Sequence, residues 1–235
     1  MPGSPSAGAP TPDRLLAAAT DLFARAGFRG TSIRDIAGHA GANVASAHYH
    51  YGSKESLYLE VLRGQFARAR ANLARHGVPR GRRALAGASR RTLVALLETR
   101  VAAMLDFLLG PPPGPHGALM MREMCDPTDA LPLIVAEFMR PQLREVEALV
   151  ARLAPGADRD SVLLAALSVV GQVLFYRFSM PALLLVLQQP AYPRGFARRL
   201  ARHITAFSLG GLGRVGTTRR RSPGVGTPRQ RRHGR

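Results

Sequence analysis

Apolar residues recur along most of the chain at the spacing of amphipathic helices. Over residues 12–26 the apolar positions share one helical face. These positions are Leu15, Ala19, Leu22, Phe23 and Ala26. Gly27 follows directly, and glycine is typical of the residue that ends a helix. The pattern predicts an amphipathic first helix.

Breaks at Pro, Gly and Ser residues divide the rest of the chain into further helical segments. They are residues 32–39, 43–51, 54–75, 92–109, 118–125, 129–153, 160–187 and 193–209. None alternates in the manner of a strand, and no repeat of about 20–50 residues is visible. Pro141 and Pro181 lie inside two of the segments and predict kinks there. The sequence therefore predicts an all-α protein of nine helices.

The apolar run over residues 162–176 raises the question of a membrane span. A spanning helix needs about 20 mostly apolar residues. Here Ser168 and Gln172 interrupt the run, and Arg177 and Pro181 follow it. We therefore expect a helix buried on all sides that also faces a partner subunit, and no membrane partner.

Composition narrows the class of protein. The chain has 235 residues, of which 46% are hydrophobic and 20% charged, and this is too apolar for a chain that is disordered throughout. The single cysteine, Cys125, excludes a disulfide scaffold and fits a reducing compartment. Residues 1–12 have neither the charged nor the apolar region of a secretory signal. A cytoplasmic protein is the expectation.

The formal net charge of +18 is concentrated in two stretches. Residues 63–91 hold nine arginines and no acidic residue, and residues 214–235 hold eight arginines and none. Residues 13–60, in contrast, carry five basic and five acidic side chains. Such an asymmetry indicates a polyanionic partner, either nucleic acid or a membrane surface.

Residues 31–54 have the pattern of a helix-turn-helix unit. Ser32 and Asp35 have the spacing of a capping box, and the turn Ala40-Gly41-Ala42 separates the first helix from a short second one. The inward positions share a small core with the preceding helix; they are Ile36, Ala37, Val44 and Ala47. The outward positions of the second helix are Asn43, Ser46, His48 and Tyr49. In such units the second helix enters the major groove of DNA.

A resemblance to a known family rests on residues 15–62. They read LLAAATDLFARAGFRGTSIRDIAGHAGANVASAHYHYGSKESLYLEVL. This stretch resembles the N-terminal domain of the TetR/AcrR family of bacterial transcriptional repressors. Two later segments, MREMCDPTDAL and LSVVGQVLFYRF, are similar to the subgroup with a CecR-type C-terminal domain.

The resemblance implies a nine-helix fold in four parts. Residues 1–11 are expected to form a disordered arm and residues 12–60 a three-helix DNA-binding domain. Residues 61–209 are expected to form a helical ligand-binding and dimerisation domain, and residues 210–235 a disordered Arg-rich tail. It further implies a homodimer through helices eight and nine, which binds double-stranded operator DNA and is released by a small hydrophobic ligand.

Candidate DNA-binding residues follow from the resemblance and from side-chain chemistry. Those expected to hold phosphates are Thr31, Ser32, Arg34, Tyr49 and Lys54. Those expected to meet base edges are Asn43, Val44, Ser46 and His48. Two alternatives stay open: Asn43 is also a helix N-cap residue, and many relatives have tyrosine on a phosphate where His48 stands.

A stripe of Met, Leu and aromatic residues predicts the wall of a ligand cavity, with ordinary core as the alternative. Its members are Met104, Phe107, Leu108, Met120, Met121, Met124, Phe138, Phe175 and Tyr176. Gln172, a polar group in an apolar helix, is expected to hydrogen-bond either the ligand or the partner subunit.

Other functions find little support in the sequence. No cofactor or metal is expected, because His48 and His50 face apart on a helix and no Cys or carboxylate joins them. No nucleophile elbow, phosphate-binding glycine loop or paired carboxylate array predicts an enzyme. The second hypothesis is a nucleic-acid-associated structural protein whose basic tail carries the binding.

Overall fold

A computed structural model describes residues 10–79, 81–109 and 116–215, and within these ranges every regular element is helical. The helices are α1 (Thr11–Ala26), α2 (Ile33–His39), α3 (Val44–Tyr51), α4 (Lys54–Arg75), α5 (Arg90–Leu109), α6 (His116–Cys125), α7 (Leu131–Ile134), α8 (Arg140–Leu153), α9 (Arg159–Phe178), α10 (Met180–Val186) and α11 (Phe196–Val215). A 3-10 turn, Arg82–Leu85, lies between α4 and α5. A π-helical turn, Val135–Met139, joins α7 to α8. The predicted all-α class is confirmed.

The described ranges hold ten helices when α7, the π-helical turn and α8 are counted as one continuous helix. The prediction of a single helix over 160–187 is wrong, because α9 ends before Ser179 and α10 begins at Met180. Pro181 explains the break, since proline lacks the N–H that a helix interior needs but is tolerated in a first turn.

Pro141 acts differently. It lies in the first turn of α8, and the five residues before it form the π-helical turn. In that turn the N–H of Arg140 donates to the carbonyl of Val135, one residue further back than in an α-helix. Where the sequence predicts a proline kink, the structure therefore has a π-helical turn, and the helix runs on to Leu153.

Helix α11 runs to Val215, so the predicted end at residue 209 is wrong. The sequence predicts that end because residues 210–235 are rich in Gly, Arg, Ser, Thr and Pro, and glycine costs about 1 kcal/mol in a helix interior. Leu212 supplies the compensation, since its side chain is buried in the core of the body. At the other end α1 begins at Thr11. Residues 1–9 and 216–235, which hold most of the predicted disordered arm and tail, lie outside the described residues.

Two large apolar clusters form the core. The first cluster belongs to the N-terminal helices, called here the head, and is built around Phe23, Ile36 and Leu57. Leu119 of α6 and Ile134 of α7 complete this cluster, so the head packs directly on the rest of the chain. The second cluster belongs to α5, α8, α9 and α11, called here the body. Its buried members include Leu97, Val150, Val169 and Ile204.

Helix α9 is long and apolar enough to cross a membrane by length and composition alone. Only one of its faces is buried in the single chain, through Ala166, Val169 and Val173. The opposite face is apolar and exposed; for example, Leu164 is 65% exposed. Within the single chain the helix is thus buried on one side, and its exposed side is the one that the expectation gives to a partner subunit.

Candidate nucleic-acid interface

The short helix α3 stands out from the head because little of it is buried. Ala47 is its one buried residue within the described chain. Val44, which the pattern also placed in the small core, is 38% exposed. Helix α3 packs against α1, α2 and α4 through its inner side only. Its remaining side chains are left for solvent or for a partner.

Both ends of α3 are held by local hydrogen bonds. At the start, Asn43 Oδ1 accepts from the backbone N–H of Ser46 at 2.6 Å, so the predicted N-cap role of Asn43 is confirmed. At the end, the N–H of Gly52 donates to the carbonyl of His48 at 2.8 Å. Gly52 has φ of +73°, a conformation that side chains with a Cβ adopt only with strain. These caps fix the helix in spite of its small buried surface.

The outward face of α3 carries the expected candidates. Tyr49 is 85% exposed, and its ring makes an edge-to-face contact with His50 at 5.1 Å between centroids. His48 and Asn43 are exposed, and Ser46 is half-buried. Because Asn43 Oδ1 is engaged in the cap, the polar group that Asn43 has left for a partner is its amide NH₂.

The ring of His48 has a defined tautomer when it is neutral. Its Nδ1 lies 2.8 Å from the carbonyl oxygen of Gly52. A carbonyl oxygen only accepts, so Nδ1 carries the proton and donates. The outer nitrogen, Nε2, is then an acceptor. Through Nε2 a neutral His48 can therefore only accept a hydrogen bond from its partner. A phosphate oxygen and guanine N7 have no hydrogen to donate, so neither is such a partner.

Three of the residues expected to hold phosphates make hydrogen bonds inside the head. The buried Thr31 hydroxyl donates to the carbonyl of Gly27 at 2.8 Å. The Lys54 ammonium donates to the carbonyls of Phe28 and Thr31, both at 3.0 Å, and lies 4.2 Å from the centre of the Phe28 ring. These groups shape the loop between α1 and α2.

Ser32, the third of them, takes part in a complete capping box. Its Oγ accepts from the backbone N–H of Asp35, and its own N–H donates to Asp35 Oδ2 at 3.0 Å. The predicted capping box is therefore confirmed. The hydrogen bonds from the side chain and backbone of Ser32 lower the pKa of Asp35. Arg34, on the same helix, is exposed.

Helix α6 ties the head to the body through residues that the sequence analysis did not single out. Arg122 donates from Nε to the carbonyl of Ala24 at 3.1 Å and from Nη2 to the carbonyl of Arg25. Glu123 is 1% exposed, and its Oε1 accepts from the hydroxyl of Tyr58 at 2.6 Å. An acidic residue within the apolar run of α6 is the only signal that the sequence offers for this contact.

A cavity of about 340 Å³ lies between α4, α5, α6, α8 and α9. Six of the ten predicted ligand-binding residues line it. They are Met104, Phe107, Leu108, Met120, Met124 and Phe138. Arg140 and Gln142, which the sequence analysis missed, also line it.

The other four predicted ligand-binding residues, Met121, Gln172, Phe175 and Tyr176, do not line the cavity. Gln172 donates to the Ser168 carbonyl and to Ser208 Oγ, each at 3.2 Å, so its amide bonds within its own chain. Phe175 is 51% exposed. The ring of Tyr176 packs edge-on against Phe196.

Comparison with family models decides the classification. Residues 15–61 match the model described as bacterial regulatory proteins, tetR family. Residues 93–212, about half of the chain, match the C-terminal domain of the HTH-type transcriptional dual regulator CecR. The chain belongs to the TetR family. Both matches fall where the sequence analysis places the resemblance.

Curated relatives of this TetR-family chain match its head. The HTH-type transcriptional repressor KstR2 of Rhodococcus jostii is 50% identical over 50 residues, which are 21% of this chain and 24% of that protein. The HTH-type transcriptional regulator RutR of Escherichia coli is 45% identical over 49 residues, 21% of this chain and 23% of that protein. The chain thus matches only about a quarter of the length of these relatives.

The TetR-family fold extends to the whole described chain. A TetR-like transcriptional regulator from Rhodococcus sp. RHA1 has a TM-score of 0.57 and 20% sequence identity, over 86% of this chain and 96% of that one. The matching family models and the named relatives are described as transcriptional regulators. Within the described residues, no group of three or more His, Cys, Asp or Glu could hold a metal ion.

Proposed function

We propose that this TetR-family chain is a dimeric, sequence-specific DNA-binding repressor that a small apolar ligand releases from its operator. The observation that carries the proposal is the exposed outer face of α3, a capped two-turn helix held by one buried alanine. A helix displayed in this way has the shape and the side chains to enter a major groove. The proposal gives the protein a cytoplasmic location, on its DNA or free.

The residues of the head divide into those that position the protein on the DNA backbone and those that read the base edges. Arg34 and Tyr49 are exposed and supply a cation and a hydroxyl for phosphates. Asn43, Val44, Ser46 and His48 reach the bases in this proposal. Thr31, Ser32 and Lys54 act indirectly, because they hold the loop that orients α2 against α1.

In its neutral form, His48 is better suited to reading a base than to contacting a phosphate. Neutral Nε2 accepts, and the major groove offers donors at adenine N6 and cytosine N4. A phosphate offers only acceptors. We therefore assign His48 to an amino group of a base edge.

Dimerisation through α9 and α11 accounts for their exposed apolar face. These two helices correspond to helices eight and nine of the family expectation. Leu164 and Phe175 on α9 and Phe207 on α11 are each at least half exposed, although all three are large and apolar. A Cβ built on Gly171 or Gly210 would meet nothing within 4 Å, which leaves room for a close approach of partner helices. Such a patch on a soluble chain marks a protein interface.

Ligand control is supported by the position of α6 between the cavity and the head. Met120 and Met124 of α6 line the cavity. Arg122 and Glu123 of the same helix bond to α1 and α4. A ligand that displaces α6 therefore acts on both helices of the head at once. For release to be complete, the ligand must bind the arrangement that cannot hold DNA more favourably than the other arrangement, by several kcal/mol.

The test is a selection of bound sequences from random double-stranded DNA, carried out at physiological salt with the full chain. We expect one enriched palindromic sequence with half-site centres about 34–36 Å apart. A chain ending at Val215, which keeps α11 whole, is expected to select the same sequence with weaker salt dependence. Selection of no sequence by the full chain, or loss of nearly all binding in the truncated chain, would favour tail-driven binding and contradict the proposal.

A further inference from the structure

Few polar side chains line the cavity, and they are amides and one cation. Of its lining residues only Gln65, Asn72, Arg140 and Gln142 are polar or charged. The rest are aliphatic, aromatic or methionine side chains. No lining residue in the described part of the chain is acidic. The cavity therefore combines an apolar interior with a small set of amide groups and one cation.

Two of the four polar residues lie on α4 and are engaged within the protein. Asn72 Nδ2 donates to the carbonyl of Ala103 at 2.7 Å, and its Oδ1 accepts from Arg75 at 3.1 Å. Asn72 thus holds α4 to α5. Gln65 is buried and has an interaction partner of its own. Neither side chain needs a ligand to satisfy it.

Gln142, on α8, offers the cavity a donor. Its Oε1 accepts from Arg100 Nη1 at 3.4 Å. Arg100 is 3% exposed and is further held by Glu145, whose Oε2 lies 3.5 Å from Arg100 Nη2. With the oxygen turned to this buried arginine, the remaining polar function of Gln142 is the amide NH₂, which only donates.

Arg140 stands two residues before Gln142, at the exposed start of α8. Among the described residues no acceptor is bonded to its guanidinium. The acidic residue one turn earlier, Glu137, has Oε2 3.7 Å from Arg63 Nε. The cavity therefore has a cation at its rim whose charge no described carboxylate neutralises.

The geometry points to an apolar ligand with a single anionic head group, such as a carboxylate, which Arg140 and Gln142 bind at the rim while its tail fills the cavity. This inference rests on the proposed function, in which the cavity holds the effector. An anion gains charge-assisted hydrogen bonds from both side chains. A cationic ligand would meet the guanidinium with no carboxylate to offset it, and two like charges at close range repel each other.

Three probes of one chain length test the inference: decanoate, decanol and decyltrimethylammonium, each titrated by calorimetry into the full chain. We expect decanoate to bind about tenfold more tightly than decanol, since a hydrogen bond to a charged group is worth about that factor. We expect the cation to bind most weakly. Equal or tighter binding of decanol or of the cation, or no binding of decanoate, overturns the inference.

Variants of α8 locate the head group. Arg140→Met should remove the preference for decanoate and leave the affinity for decanol unchanged, which also shows that the variant is folded. Arg140→Lys keeps the charge and should keep most of the preference. Arg144→Met is the matched control, because Arg144 is exposed on the same helix and lies outside the cavity. A preference that survives Arg140→Met contradicts the assignment.

A second readout, release of the selected DNA, separates this inference from the proposed function. If decanol binds as well as decanoate and releases DNA, the anionic head group is wrong and ligand-controlled release stands. If decanoate binds with the expected preference and DNA stays bound, the head group stands and release by a ligand of this class is wrong.

Discussion

The buried carboxylate of Glu123 accepts a 2.6 Å hydrogen bond from the hydroxyl of Tyr58, which joins α6 to α4. Glu123 also accepts from the backbone N–H of Thr128 at 3.1 Å and from its hydroxyl at 2.9 Å. Burial and the hydrogen bond to Glu123 raise the pKa of Tyr58, so the phenol stays protonated as the donor. The head is thereby fastened to the body by a buried polar contact.

Tyr58→Phe tests the strength of this contact. The variant leaves a buried carboxylate with one donor fewer, and we expect a loss of about 1–3 kcal/mol of unfolding free energy. For a chain of this size, each kcal/mol corresponds to about 2–4 °C in melting temperature. Thermal melting followed by circular dichroism measures it. Tyr49→Phe is the control, because Tyr49 is exposed; equal melting temperatures for the two variants would contradict the prediction.

Arg122→Met is expected to loosen the end of α1. Arg122 donates to the carbonyls of Ala24 and Arg25, and its side chain covers Gly27 at 3.4 Å from where a Cβ would be. Amide hydrogen exchange of residues 24–31 should become about tenfold faster, the effect of losing a hydrogen bond from a charged group. Arg25→Met, at an exposed position on the same turn, should leave these rates unchanged.

The capping box of α2 predicts a dependence of stability on pH. Because the pKa of Asp35 is lower in the folded state than its ordinary value of 3.8, its contribution is present above that value. It is lost as the pH falls through the folded-state pKa. Asp35→Asn should therefore destabilise the protein at neutral pH, with a difference from wild type that shrinks in acid. Urea unfolding at several pH values measures this.

Ser32→Ala supplies the control for the capping box. Without the Ser32 hydroxyl, the largest cause of the lowered pKa is removed. In that background the effect of Asp35→Asn should be smaller at neutral pH and less dependent on pH, because only the backbone N–H of residue 32 and Arg34 still lower the pKa of Asp35. An effect of the same size in both backgrounds would mean that Asp35 acts through some other contact.

His48 is expected to specify an adenine or a cytosine on the strand that it contacts. His48→Ala should relax the selected sequence at that position, where a good base contact is worth about 1–3 kcal/mol. His48→Lys replaces an acceptor by donors and should shift the preference towards guanine. His50→Ala, two residues along α3, is the control. If affinity instead falls equally for all DNA sequences, and the slope of log affinity against log salt falls by about one, His48 contacts a phosphate.

Leu164→Glu tests the dimer. The side chain is 65% exposed in the single chain and would be buried against the partner. Two carboxylates brought together at such an interface are unfavourable, so the variant should be monomeric by light scattering and retain its helical circular dichroism spectrum. Ala151→Glu, at an exposed position on α8, should remain dimeric. A dimeric Leu164→Glu protein would place the interface elsewhere.

Local features were predictable from the sequence and tertiary ones were not. The capping box of Ser32 and Asp35 and the N-cap of Asn43 depend on residues three apart, so the spacing alone predicts them. The Lys54 side chain points into the head because the carbonyls of Phe28 and Thr31 lie there after folding. No spacing rule contains that information.

The residues around the cavity divide in the same way into those that local spacing predicts and those that depend on tertiary packing. Met and aromatic positions on α5 and α6 were found because apolar side chains at helical spacing lie on a common face. The hydrogen bond of Gln172 to Ser208, 36 residues away on α11, was beyond any spacing rule. Arg140 was missed because an arginine near a helix start is most often a solvated charge, and only the packing of α8 brings it to the rim.

Because of the π-helical turn before α8, one continuous helix packs into both apolar clusters, which a uniform α-helix could not do. Ile134, before the turn, is buried in the head cluster, and Val146, after it, is buried in the body cluster. Winding the same residues as a uniform α-helix would rotate one half against the other by about 100°. One of the two side chains would then leave its cluster. The wide turn in this helix, as well as the chemistry of its residues, is thus a condition for closing both halves of the molecule.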